Sequence, residues 1–319
     1  MRITRRLALA APALLALPAR AQTAAWPNRP VRFVSPFAPG GPQDMPARFI
    51  CEYLTQRLGQ PFILESRAGA GGALGMQHVA QANDGHTFLI TSSAISTLPA
   101  MRRDPGFNPF TDLPAVSLIS ESPLAFTTRA NGGMASLAAL LERARAEPGK
   151  VSFATSGIGS ATHFAGELLG VKAGVRLLHV PYRGASLAMN AVLAGDVDLV
   201  IGDVSIVLQH VRAGSLRALA TSLPQRIALL PEVPAMAEQV PGYAVPFWIG
   251  LFAARATPPA VIAQLNAAMA PLRQGELAQR MAELGATLLL SEPAVLAARL
   301  QQEVPQWQQV AASAGITPE

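Results

Sequence analysis

The sequence predicts an α/β protein of two domains, each a mostly parallel sheet flanked by helices, with a ligand cleft between them. Three observations lead there. Short runs rich in β-branched residues alternate with segments of helical period before about residue 121, and the alternation resumes at residue 151. Two glycine-rich loops each follow such a run and precede such a segment, the junction at which open α/β sheets hold ligands. The chain's 319 residues also exceed the roughly 250 to 300 residues at which a single core stops growing.

In chain order, Val31 to Val34 reads as the first strand, and Phe49, Ile50, Tyr53, Leu54 and Leu58 share one face of the helix after it. Phe62 to Leu64 and Thr87 to Thr91 are the next strands, with a helix from about Ala73 to Ala82 between them, so the pairing is parallel. Ala115 to Ile119 and Leu124 to Thr128 read as two extended runs around Ser120 to Pro123, where the chain is expected to cross between domains. Further strands fall at Val151 to Ala154, Leu177 to Val180, Leu199 to Ile201 and Ala218 to Thr221, with a second crossing near Thr221 to Pro224. A strand around Ile249 to Ala253 and amphipathic helices from Pro258 and Pro293 are expected to pack back on the first domain. Domain 1 is therefore expected to be discontinuous, residues 26 to 121 plus 224 to 319, with domain 2 spanning 122 to 223. Two crossings make a hinge that can close on a ligand.

The N-terminus carries Arg2, Arg5 and Arg6, an apolar run from Leu7 to Leu17, and Ala19-Arg20-Ala21, the layout of a secretory signal cleaved after Ala21. Thr4-Arg5-Arg6-Leu7 leaves the twin-arginine route open beside the general one. Removing residues 1 to 21 lowers the basic residues from 25 to 21 against 20 acidic ones, so the net charge falls from +5 to +1. With no basic stripe, nucleic-acid binding is excluded. The single cysteine, Cys51, lies on an apolar helical face and reads as a buried structural thiol. His78, His86, His163, His179 and His210 have no metal-ligand spacing, and no cofactor is expected.

The segment Pro36-Phe37-Ala38-Pro39-Gly40-Gly41-Pro42-Gln43-Asp44 is the first candidate half-site. Gly40 and Gly41 allow close approach of backbone to a guest, the helix start behind them favours an anion, and Asp44 can cap that helix. The second, Thr155 to His163, offers Gly157, Gly159, Ser160 and Thr162 as donors at another helix start, so two half-sites can face each other across a cleft. Neither has the lysine of a P-loop or the third glycine of a dinucleotide loop. Gly69 to Gly75 reads as a tight turn into a helix. Ser92 and Ser93, at a strand's carboxyl end, are placed to touch a ligand. A Ser160, His163 and Asp203 triad lacks the G-x-S-x-G elbow and an oriented base, so a Ser/His hydrolase is disfavoured.

Together these residues resemble the Bug or TctC family, the extracytoplasmic receptors of tripartite tricarboxylate transporters. The likeness is carried by Pro36 to Asp44, Ala47-Arg48, Arg67 with Gly69 to Gly72, Asp84-Gly85, Gly157 to Ser160 with His163, His179 to Gly184, Val197-Asp198-Leu199, and Trp248 with Gly250. It implies a periplasmic-binding-protein fold of the type II-like, Venus-flytrap kind, and a non-enzymatic role. The resemblance places a small carboxylate (dicarboxylate, tricarboxylate, amino acid or aromatic acid) against Phe37, Ala38, Pro39, Gly40 and Gly41, partly through water. Ser156 to His163, Tyr182, Arg183, Gly184 and Asp203 frame the other side. It further implies a monomer in the periplasm that engages the transporter's membrane subunits, with action on a sensor as the alternative. Asn83, Ser66 and Ala68 depart from the family's usual residues away from the cleft, while Val204-Ser205 departs at its distal end, where ligand identity is decided.

Overall fold

The structure, a computed structural model, describes residues 26 to 318. The expected export signal, residues 1 to 21, lies outside the described residues.

The first lobe starts with β1 (Val31–Ser35), α1 (Asp44–Leu58), β2 (Phe62–Ser66), α2 (Ala73–Ala80), β3 (Thr87–Ser92) and α3 (Ala94–Met101). β1 lies between β2 and β3, parallel to both. Its Phe33 packs edge-on against Phe62 and Phe88 on those two neighbours, with centroids 5.8 and 6.0 Å away. α1 covers this sheet through Ile50, Cys51 and Leu54, a spacing of about one turn that makes a single buried stripe. Gly59 ends the helix in the left-handed conformation, where its lack of a Cβ removes the penalty.

The next strand, β4 (Ala115–Arg129), corrects the expectation of two separate runs: it is one continuous strand. Its first part pairs antiparallel with β9 (Pro246–Ala253) as far as Pro123 opposite Pro246. From Leu124 onward it pairs instead with β7 (Leu199–Asp203) and β8 (Leu216–Thr221). Two prolines thus face each other where the sheet divides. Proline donates no ladder hydrogen bond, so pairing is lost there without breaking the strand itself.

The second lobe adds α4 (Leu137–Ala146), β5 (Ser152–Thr155), α5 (Ala161–Ala173), β6 (Leu178–Pro181), α6 (Ala185–Ala194) and α7 (Val204–Arg212). β5 lies parallel to both β6 and β7, as β1 does to its neighbours in the first lobe. The chain then returns through β9 to α8 (Pro259–Met269), α9 (Glu276–Glu283), β10 (Thr287–Leu288) and α10 (Pro293–Ser313). β10 pairs with β4 at Ser120 and Glu121.

α8 packs on the first lobe as expected, and so does α10, which also reaches beyond it. It packs on α3 and β4 and also on α5 of the second lobe. The cause is Trp307, a side chain large enough to reach Phe164, with ring centroids 5.7 Å apart.

Candidate ligand-binding cleft

Sequence and topology bring a set of helix starts to one place. In each lobe a strand runs to its carboxyl end, turns through a short loop and enters a helix, so the first turns of α1, α3, α5, α6 and α7 all belong to strand-to-helix junctions. Their free backbone N–H groups and aligned peptide dipoles favour negative charge.

Two of these starts are capped from within. Ser160 Oγ accepts the backbone N–H of His163 at α5, and Asp203 Oδ1 accepts the N–H of Ser205 at 2.8 Å at α7. Among the described residues the N-cap positions of α1, α3 and α6 make no side-chain cap hydrogen bond, although Ser92 Oγ accepts the Ala94 N–H at 3.4 Å at α3.

The gap between the lobes divides into three connected spaces. A central chamber of about 40 Å³ is walled by Phe37, Ala38, Gly41, Pro42, Gln43 and Ser92 from the first lobe. Ser156, Thr162, Gly184, Ala185, Asp203 and Phe247 are among the residues completing it. Towards the sheet junction lies a second chamber of about 140 Å³, sharing Gly41, Pro42, Asp203 and Ile206 with the first. The third and widest space, the mouth, has about 720 Å³, is shared at Phe37, Ala38, Ser156 and Gly184 and bears Arg102, Gly157, Tyr182 and Arg183. Among the described residues, no lysine or arginine lines either inner chamber.

The sequence-selected residues therefore separate by position. Phe37, Ala38, Gly41, Ser92, Ser156, Gly184 and Asp203 line an inner chamber, and Gly157, Tyr182 and Arg183 line the mouth. Pro39, Gly40, Asp44, Ser93, Gly159, Ser160 and His163 line none of these spaces. Asp44 Oδ2 accepts the Gly40 N–H at 2.6 Å and so closes the first loop on itself. A Cβ at Gly40, φ +93°, would lie 2.9 Å from Ser186 Oγ across the cleft. Ser93 is buried, its hydroxyl without a partner among the described residues.

Gly159 touches the opposite lobe: its carbonyl accepts a hydrogen bond from Thr97 Oγ1, while its N–H points to His163 Nδ1 at 3.2 Å. Ser160 Oγ accepts the His163 backbone N–H and donates to the Gly157 carbonyl at 2.7 Å, so among the described residues it makes no hydrogen bond to the His163 ring. His163 instead stacks on His179 with centroids 3.9 Å apart, and His179 stacks on Phe153. Burial, and then the neighbouring His163, push His179 down to about 3.

Sequence reasoning did not single out Met45, Ser120, Ser122, Ala185, Ile206, Phe247, Ile249, Met281, Leu284 or Ala286 as lining residues. Most sit on ordinary strands and helices and look like core. Ala68, expected to lie away from the cleft, and the segment Gly69 to Gly72, read as a plain turn, also line the mouth. At Gly71, φ +66°, a Cβ would stand 2.5 Å from the Ile158 carbonyl of the other lobe.

Asp203 is the one acid in the inner lining. Burial pushes its carboxyl above the ordinary range, opposed by hydrogen bonds from Ser122 and Ser205. Among the described residues no group of three or more His, Cys, Asp or Glu could hold a metal ion. No described helix is long and apolar enough to cross a membrane.

Residues 46 to 315 match the family model described as tripartite tricarboxylate transporter family receptor. The chain belongs to that family. The tripartite tricarboxylate receptors are periplasmic solute-binding proteins and not enzymes. One relative of this receptor, a UPF0065 protein of the tcbD-tcbE intergenic region of Pseudomonas sp. (strain P51), is 37% identical over 290 residues, 90% of this chain and 86% of the relative. Among solved structures, R. palustris Rpa4515 with adipate superposes at TM-score 0.87 with 31% identity, covering 92% of this receptor and 100% of that chain. MatC from Rhodopseudomonas palustris with bound malate superposes at 0.82 with 32% identity, covering 89% and 99%. The two-domain periplasmic-binding-protein fold is thereby shown.

Proposed function

We propose that this receptor captures a small carboxylate by closing its lobes and delivers it to the membrane subunits of a tripartite transporter. The observation that carries this reading is the uncapped start of α6 at Gly184, facing Phe37 and Ala38 across a chamber without a cationic side chain. In such a place an anion is held by backbone N–H groups and helix dipoles rather than by an ion pair. Adipate and malate in related structures support the ligand class.

The chamber volume of about 40 Å³ suits a carboxylate, since each water-sized group takes at least ~10 to 15 Å³. Phe37, Ala38 and Gly41 from one lobe, and Ser156, Thr162 and Gly184 from the other, are assigned to it. Pro39, Gly40, Asp44, Ser93, Gly159, Ser160 and His163 shape the loops behind, with bridging water completing the contacts.

In this reading domain 1 comprises residues 26 to 121 plus 224 to 319 and domain 2 residues 122 to 223, with β4 as one of the crossings. Residues 1 to 21 direct export, and the mature chain acts as a monomer. Calorimetric titration of the mature protein with mono-, di- and tricarboxylates tests the ligand class: saturable binding lost in Gly184→Val supports it, and no binding by any carboxylate overturns it. Small-angle scattering unchanged by saturating ligand would overturn closure, and a stable dimer in sedimentation would overturn the monomer.

A further inference from the structure

We infer that the chamber behind the carboxylate site selects a neutral, ring-sized apolar tail and rejects a second carboxylate. The inference rests on the carboxylate reading above and goes beyond it to the shape of the ligand.

The second chamber has a volume of about 140 Å³, close to the ~150 Å³ of an apolar protein cavity that holds one benzene molecule. Its walls are set mainly by Met45, Ile206, Ile249, Met281, Leu284 and Ala286. Methionine side chains adapt to the faces and edges of a ring, and two stand here.

Of the four polar side chains lining this chamber, Ser122, Asp203 and Ser205 bond to one another, and the Ser120 hydroxyl alone is left for a guest. Ser122 Oγ donates to Asp203 Oδ2, and both the N–H and the hydroxyl of Ser205 donate to Oδ1. In the first turn of α7 the same carboxyl group takes the Ser205 N–H. A second ligand carboxylate would therefore meet the oxygens of Asp203, with no cationic side chain among the described lining residues to offset its desolvation. Gly41, Pro42, Asp203 and Ile206 border both chambers. A ligand anchored by its carboxylate at α6 can thus pass its tail between the Gly41–Pro42 loop and Ile206.

The test titrates the mature protein with cyclohexanecarboxylate, benzoate, adipate, malate and alanine, and repeats the series in Ala286→Met and Met45→Lys after checking their folding by circular dichroism. The ring acids are expected to bind at least about tenfold tighter than the dicarboxylates, a difference of ~1.4 kcal/mol. Ala286→Met should weaken ring-acid binding by about tenfold through lost space. Met45→Lys, which places an ammonium group in the chamber, should shift preference towards adipate. Adipate or malate binding as tightly as the ring acids, or unchanged ring-acid affinity in a folded Ala286→Met protein, would overturn the inference while leaving the carboxylate reading intact. Alanine binding tightest would assign Asp203 to an ammonium group and overturn it likewise. Failure of every carboxylate to bind would overturn both readings. The ranking in the unsubstituted protein does not depend on either variant folding.

Discussion

Trp307 of α10 meets Phe164 of α5 edge-on, with ring centroids 5.7 Å apart and planes at 70°. Both side chains are buried, at 3% and 0% exposure, and they tie the C-terminal helix of one lobe to the helix behind the second glycine loop of the other. Truncating a buried aromatic removes its transfer energy and leaves a cavity, about 3 to 5 kcal/mol in all. Phe164→Ala is expected to lower stability by that order in urea unfolding, and to weaken ligand binding as well because α5 carries the Ser160–His163 turn. A loss below ~1 kcal/mol would show that α10 is not a structural tie between the lobes.

Trp248 and Trp307 both direct their indole N–H groups at Glu303 of α10. The Trp248 nitrogen lies 2.9 Å from each carboxylate oxygen, and Ser96 Oγ donates at 2.9 Å. Burial raises the Glu303 carboxyl, opposed by these donors and by Arg299. Glu303→Leu would strand two indole donors and leave Arg299 with Glu121 alone, at a cost of about 3 to 5 kcal/mol. Glu303→Gln keeps an acceptor and is expected to cost less than half as much. Equal losses in chemical denaturation would refute the role given to the acceptor oxygens.

Gly71 and Ile158 approach across the mouth so closely that any Cβ at residue 71 would collide with the Ile158 carbonyl. Opening of the proposed hinge would lift that constraint. Gly71→Val should therefore weaken binding of any captured carboxylate by about tenfold or more. A positive φ at this position adds a modest stability cost of roughly 1 kcal/mol, seen in melting without ligand. Unchanged affinity in calorimetry would mean that closure does not bring these residues together in solution.

His179 supplies a pH dependence of defined sign. The ordinary histidine value is 6.5, and in the fold it is lowered to about 3, so the unfolded chain binds a proton that the folded chain refuses between those values. Stability contributed by neutral His179 is thus full above about pH 6.5 and is lost as pH falls towards 3. Unfolding free energies measured from pH 7 to 4 should decline by on the order of a few kcal/mol from this group. His179→Phe, which retains the stack with Phe153, should flatten that slope. The same slope in wild type and variant would exclude His179 as its source.

Much of the architecture was legible in the residues because strand and helix periods are local. The β-branched run at Val31 to Val34, the stripe through Ile50 and Leu54, and the glycine loops at Gly40 and Gly157 all lie in short windows where spacing decides the outcome. The continuous strand through Pro123 was not legible, because a proline inside an extended run ordinarily signals a break. Only pairing with β9 on one side of it, and with β7 and β8 on the other, lets the strand continue.

The candidate site divides in the same way. Its loop residues Phe37, Gly41 and Ser156 were found from their place between strand and helix, a pattern written in neighbouring positions, and Gly184 from the family resemblance. Met45, Ser122, Ile249, Met281 and Ala286 could not be found so, since a methionine on a helix or a serine in a strand carries no mark of facing a cavity. They meet because β4, β9 and α9, far apart along the chain, are folded against one another at the junction of the lobes. The sequence by itself determined that two α/β lobes present polar loops and helix starts towards one another. Tertiary packing alone decided the volume behind those loops and its apolar wall, because both depend on contacts between segments as far apart in the chain as Gly41 and Ala286.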